Sequence, residues 1–193
     1  MGRLCVEKFL HAGAEVAVMN RGRTPSPFRD HPRVRHIKCD RDDRKRFRRL
    51  MEMGATLFCD AGDGPGSKRK QDADGAGEQQ DEAGPRSWDA VVDFVCFRPK
   101  NMRDVINAAV TKHYVFISTD SVYMACDIKK LADKISEGPL LEEHTFAPTE
   151  EEELIERNEY QYKYGKRKLD CEDVLKVASS ILPEYTILRL PDV

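Results

Sequence analysis

The chain has 193 residues, with 32 Lys and Arg against 34 Asp and Glu, giving a formal net charge of −2. At roughly 150 residues per domain, that is one domain or slightly more, long enough to bury a sizeable core. The charge gives no global drive toward nucleic acid or an anionic membrane, and no apolar run approaches the ~20 residues of a membrane span.

Leu4, Val6, Phe9 and Leu10 recur at a mostly helical spacing and predict a helix over 3–12, stopped at Gly13. AEVAVMN alternates and is rich in small and β-branched residues, so it reads as a strand ending at Asn20. RGRTPSP is a loop, and VRHIKCD predicts a second strand ending at Asp40. DDRKRFRRLMEM is helical, with Phe47, Leu50 and Met51 as its narrow apolar stripe.

The composition then changes. Residues 61–87 hold no aromatic residue before Trp88, no large aliphatic, and six of the 12 glycines: Gly62, Gly64, Gly66, Gly75, Gly77 and Gly84. Such a stretch cannot bury enough surface to offset the entropy of ordering, so it is expected to be a disordered insertion. WDAVVDFVCF returns as a continuous apolar run, the pattern of a central strand covered on both faces. A helix is predicted from Pro99 to about 112, then a buried strand YVFIS, then mixed loop and short helix over 124–150. A helical region follows from EEEL through YGKRKLDCEDVLKVASSI, and YTILRL is the last strand. Alternating helices and strands predict an α/β fold, a doubly wound parallel sheet with helices on both faces.

The cysteines, at 5, 39, 59, 96, 126 and 171, form no CxxC or CxH spacing, so no metal site is expected. They sit singly in apolar runs, as buried free thiols of a reducing compartment do. The start, MGRLCVEKFLHAG, is broken by Glu7, Lys8 and His11 and is not a secretory signal. A cytoplasmic protein is expected.

Three clusters could carry chemistry. In YQYKYGKRK, a Tyr and a Lys four apart share one helix face, and an ammonium near a phenol favours the phenolate. Such a Tyr is a usable general acid or base. Tyr162 with Lys166 and Tyr164 with Lys168 both satisfy the spacing, which does not choose between them. VFISTDSVY puts hydroxyls at the end of a buried strand, where they either hold a substrate oxygen or cap the strand end. After the first strand come Asn20, Arg21 and Arg23. In dinucleotide folds an acid at that place accepts from the 2′-hydroxyl of NAD, and Arg accommodates the 2′-phosphate of NADP.

In order, AEVAVMNRGRTP, HIKCDRDD, WDAVVDFVCF, YVFISTDSVY, YGKRKLDCEDVL and YTILRLPDV resemble the extended short-chain dehydrogenase/reductases. They are similar to the epimerase/dehydratase group, with the flavour of the atypical branch that includes chloroplast stem-loop-binding proteins. The resemblance implies a Rossmann-like domain over 1–60 and 88–193 and an NAD(P)-dependent epimerase, dehydratase or reductase. The substrate would be a nucleotide-sugar-like or other small hydroxyl or carbonyl compound, the cofactor NAD(P), leaning to NADP. It implies Thr119, Tyr164 and Lys168 as the catalytic set. It assigns Gly2, Asn20, Arg21, Arg23, Asp40, Arg41, Asp93, Phe94, Val95 and Pro191 to the cofactor, and Glu142 and Glu143 to the substrate mouth.

The family opens with a strand and a GxxGxxG turn, and Met1-Gly2-Arg3 matches only the last glycine. It also continues beyond LRLPDV into a substrate lobe. The expectation is therefore a domain lacking its first strand and that lobe, impaired in cofactor binding. The alternative is a regulatory or RNA-binding protein that reuses the fold, on the strength of Arg41, Arg44, Lys45, Arg46, Arg48 and Arg49. Asp40, Asp42 and Asp43 partly neutralise that cluster, and only Phe47 interleaves it for base stacking.

Overall fold

The computed structural model describes residues 2–54, 87–108, 111–146, 151–178 and 184–191. The insertion expected over 61–87 lies outside them save for Ser87, as does Cys59. The elements run α1 (Gly2–His11), β1 (Val16–Asn20), β2 (Val34–Lys38), α2 (Arg44–Met53), β3 (Trp88–Asp93) and α3 (Pro99–Ala108). They continue with β4 (Thr111–Thr119), a 3-10 helix (Asp120–Ala125), α4 (Ile128–Glu137), α5 (Glu151–Val177) and β5 (Glu184–Leu190). Two compact units result, Met1–Trp88 and Asp89–Val193.

In the first unit, Gly13 at φ 89° ends α1, and the amide of Ala14 donates to the Phe9 carbonyl at 3.0 Å. β1 and β2 run parallel, from Val16 opposite Val34 to Asn20 opposite Lys38. Arg33 ties α1 to this pair by donating to the Leu10 carbonyl at 2.8 Å. α2 is capped by Asp43, whose Oδ1 accepts from the Arg46 amide at 3.2 Å. Phe47 and Met51 are its buried face, and the indole N–H of Trp88 donates to the Met51 carbonyl at 3.1 Å.

In the second unit the sheet order is β3-β4-β5, with β4 at the centre. β4 and β5 are parallel, from His113 opposite Glu184 to Thr119 opposite Leu190. Cys96, Met102, Tyr114, Phe116, Val122, Cys126 and Leu175 are fully buried around β4. Burial pushes the Cys126 thiol up from its ordinary range, which keeps it neutral near pH 7. α4 is the short helix expected within the mixed segment over 124–150, and Asp127 caps it at the Lys129 and Lys130 amides.

One expectation needs correction. The apolar run from Trp88 does not mark a strand covered on both faces. β3 is an edge of its sheet, Asp89 and Ala90 are exposed, and Val95 and Phe97 beyond it are also exposed. The described strands form a pair in one unit and a trio in the other. In the strand order 3-2-1-4-5-6 of doubly wound dinucleotide folds, leaving out strand 1 leaves a pair, 3-2, and a trio, 4-5-6. β2-β1 and β3-β4-β5 are such a pair and trio.

Candidate active site

The second unit holds Asp93, Thr119, Tyr164 and Lys168. α5 lies against both β4 and the 3-10 helix. At Gly165 a Cβ would meet the Ser121 carbonyl oxygen at 2.0 Å and its carbon at 2.7 Å, so backbone meets backbone with no room for a side chain. One turn on, Lys168 is 2% exposed. Its ammonium donates to the Ile117 carbonyl at 2.7 Å and lies 4.8 Å from the ring centroids of Phe97 and Phe116. Tyr164 is half-buried, its ring centroid 6.5 Å from that of Phe97.

The two registers of the Tyr–Lys motif therefore differ physically. Tyr162 is 6% exposed and clusters with buried Ala125. Lys166 points away from the core, in an ion pair with Asp170 at 3.1 Å with both side chains more than a third exposed. Of the two, only the second pairs a half-buried Tyr164 with a buried ammonium, Lys168.

Thr119 ends β4 and caps the 3-10 helix, its Oγ1 accepting from the Ser121 amide at 3.1 Å. Its hydroxyl donates to Ser121 Oγ at 3.2 Å and to Asp120 Oδ1 at 3.4 Å, and Ser121 Oγ in turn donates to Gln161 Oε1 on α5 at 3.1 Å. Its proton is thus directed at Ser121 and Asp120, and holding a substrate oxygen requires the hydroxyl to turn from them. Asp93, at the end of β3, is closed within its own unit. Its Oδ1 accepts from the Val95 amide at 3.0 Å and its Oδ2 from the Tyr114 hydroxyl at 2.9 Å. Phe94 is half-buried, while Val95 and Pro191 are exposed at the ends of β3 and β5.

Sequence reasoning missed Glu172 and Arg189. Glu172 is fully buried and accepts from Ser118 Oγ at 2.6 Å. Arg189 donates to it twice, at 3.1 and 2.6 Å, the bidentate geometry a guanidinium suits. The same guanidinium donates to the Tyr123 hydroxyl and the Glu142 carbonyl, each at 2.9 Å. Burial opposes its charge, but the hydrogen bonds and charge of Glu172 outweigh burial and raise its pKa above the ordinary value. The signal available in the sequence was a charged residue inside the apolar strand YTILRL.

The first unit holds the other predicted residues. Asn20 Oδ1 accepts from the Gly22 amide at 2.8 Å, closing a turn in which Gly22 takes φ +65°. Arg21 and Arg23 project from this turn and are exposed. Across the pair, Asp40 Oδ1 accepts from the Asp42 amide at 3.0 Å, and the Arg41 guanidinium stacks 4.7 Å above the Phe47 ring. A Cβ at Gly2 would meet nothing within 4 Å, so packing does not demand a glycine there. Two exposed guanidiniums beside a neutral Asn suit a phosphate monoester. Among the described residues no His, Cys, Asp or Glu group could hold a metal, and no helix is long and apolar enough to cross a membrane.

No family model and no curated protein sequence matches the chain. Solved structures do match. A protein of Burkholderia cenocepacia J2315 named as an epimerase aligns over 99% of this chain and 50% of its own, at TM-score 0.59 and 17% identity. The fold is that of the epimerases and short-chain dehydrogenase/reductases. UDP-glucose 4-epimerase aligns over 97% of this chain and 47% of its own, at TM-score 0.54 and 16% identity. A wide-type short-chain dehydrogenase/reductase of Veillonella parvula DSM 2008, solved with NADP, aligns over 97% of this chain and 62% of its own, at TM-score 0.50 and 12% identity. The chain thus spans about half to three fifths of the length of these structures. In this Rossmann-type fold ligands bind beyond the carboxyl ends of the strands. Asn20, Asp93 and Thr119 each stand at such an end.

Proposed function

We propose that the chain is the dinucleotide-binding and proton-transfer part of a nicotinamide-dependent epimerase or reductase. Its substrate is a nucleotide-sugar-like or other small hydroxyl or carbonyl compound, and its preferred cofactor is NADP. The observation that carries this reading is the seating of α5: Gly165 against Ser121 and Lys168 against Ile117 put the half-buried Tyr164 on the same helix face as a buried ammonium.

Tyr164 gives or takes a proton at its phenolic oxygen. Lys168, held in place by the Ile117 carbonyl and two rings, favours the phenolate electrostatically. Thr119 donates its hydroxyl to the substrate oxygen, turning it from Ser121 and Asp120 to do so. Arg21 and Arg23 hold the 2′-phosphate of the cofactor, whose nicotinamide supplies the hydride chemistry when bound.

The experiment is a Tyr164→Phe variant assayed with NADPH and NADH against carbonyl and nucleotide-sugar substrates, by absorbance and by chromatography of the sugar nucleotides. Loss of the proton donor should lower turnover roughly 10²–10⁴-fold with the fold intact. Undiminished turnover would refute the role.

A further inference from the structure

Tyr164, Lys168 and Glu172 fall at i, i+4 and i+8, one face of α5. All three turns of this face engage the β4 end or the 3-10 helix. Gly165, beside Tyr164, presses on the Ser121 carbonyl; Lys168 donates to the Ile117 carbonyl; Glu172 accepts from Ser118 Oγ. Ser118 pairs directly with Arg189 in the sheet register, and one Glu172 oxygen, Oε1, receives both of them. A single buried carboxylate therefore ties α5, β4 and β5 together one residue before Thr119.

We propose that Glu172, clamped by Arg189, is a positioning residue that sets the register of α5 on β4 and so aims Tyr164 and Lys168 at Thr119. The proposal deepens the reading above and rests on it. Glu172 meets Ser118 from β4, Arg189 from β5, and Lys176 of its own helix at 3.9 Å. Lys176 is half-exposed and adds no constraint on register. Arg189 extends the clamp, since its remaining N–H groups hold Tyr123 of the 3-10 helix and the carbonyl of Glu142. A cavity of about 270 Å³ lined by Glu142, Glu143, Glu172, Lys176, Ile187 and Arg189 opens beside the pair. Water there can solvate a released guanidinium, so a Glu172→Gln chain is expected to fold.

The test reads the Tyr164 phenol directly and needs neither cofactor nor substrate. The protein is labelled at tyrosine Cζ with carbon-13, and the Tyr164 line among the six is assigned with Tyr164→Phe. Its midpoint is then followed with pH in the parent, Glu172→Gln, Ser118→Ala and Lys176→Gln. Removing an anion lowers a phenol's midpoint by charge alone. Loss of register loosens Lys168 and raises it toward the ordinary value of about 10. The expected result is a rise of about half a pH unit or more in Glu172→Gln, a smaller rise in Ser118→Ala, and no rise in Lys176→Gln. If Glu172→Gln does not fold, Ser118→Ala, which keeps the ion pair, carries the test alone. An unchanged or lowered midpoint in folded Glu172→Gln, or in Ser118→Ala where Glu172→Gln does not fold, overturns the proposal, as does an equal rise in Lys176→Gln. Undiminished turnover in Tyr164→Phe would overturn the reaction instead, and would leave this titration as it stands.

Discussion

Replacing Gly165 by Ala should destabilise the protein, although Ala is the better helix former. The propensity gain for a helix interior is about 1 kcal/mol. Against it, the added Cβ would lie 2.0 Å from the Ser121 carbonyl oxygen, where real Cβ contacts are at least 3.0 Å. About 1 Å must be found, and the obstacle is backbone on both sides, so neither partner yields by rotating a side chain. Overpacking costs about 1–3 kcal/mol, and a backbone clash belongs at the upper end of that range. The net expectation is a loss of about 2 kcal/mol, or on the order of 10 °C in Tm for a unit of this size. Urea unfolding followed by far-ultraviolet circular dichroism, which reports α5, measures it. Equal or greater stability in Gly165→Ala would refute the close seating of α5 on the 3-10 helix, and with it the geometry of the proposed site.

Other perturbations have equally definite signs. Tyr114→Phe removes the hydroxyl that Asp93 Oδ2 accepts from at 2.9 Å inside the core. It should cost about 1.5–3 kcal/mol in urea unfolding, the range for a hydrogen bond to a charged group, and an unchanged midpoint would contradict the assignment. The Lys130 amide, and with it the Lys130 charge and the Lys129 amide, holds the Asp127 carboxyl below the usual carboxylate range. A depressed carboxyl stabilises above its unfolded pKa of about 3.9, and that stability fades as pH falls through the lower folded value. Amide exchange, corrected for intrinsic rates, should show α4 equally protected from neutrality down to about pH 5 and losing protection only below about pH 4. Fraying of α4 already between neutrality and about pH 5 would contradict the cap. Double replacement of Arg21 and Arg23 by Ala should weaken NADPH binding at least about tenfold and leave NADH binding nearly unchanged, read by fluorescence titration; equal losses would remove the 2′-phosphate role.

The alternation of elements was legible because period and turn residues are local. The β1 alternation, the stop at Gly13 and the Phe47–Met51 stripe each depend on neighbours a few residues away. The Tyr–Lys spacing was legible too, and the resemblance selected Tyr164 with Lys168, but spacing alone did not give the register. That distinction lies in where the helix touches the sheet, in Ser121 and Ile117 more than forty residues upstream. The apolar stretch at β3 misled for a related reason, since hydrophobicity reports a tendency to be covered and the sheet order decides whether a strand is an edge. Arg189 announced itself as a charge within a strand, yet its partner Glu172 could not be named from sequence. Its spacing from Lys168 fits a solvated helix face as well as a buried clamp. Asp93 was legible as a strand-end residue, but not that its oxygens accept from the Val95 amide and the Tyr114 hydroxyl.

The central claim is that the chain binds a nicotinamide dinucleotide. The most direct measurement is an NMR titration of the isotope-labelled chain with NADPH at concentrations up to the millimolar range, which detects weak binding residue by residue. The account predicts saturable shifts at Asn20, Arg21, Thr119, Tyr164 and Lys168. Shifts confined to the basic residues of α2, Arg44 to Arg49, or none at all, would contradict it.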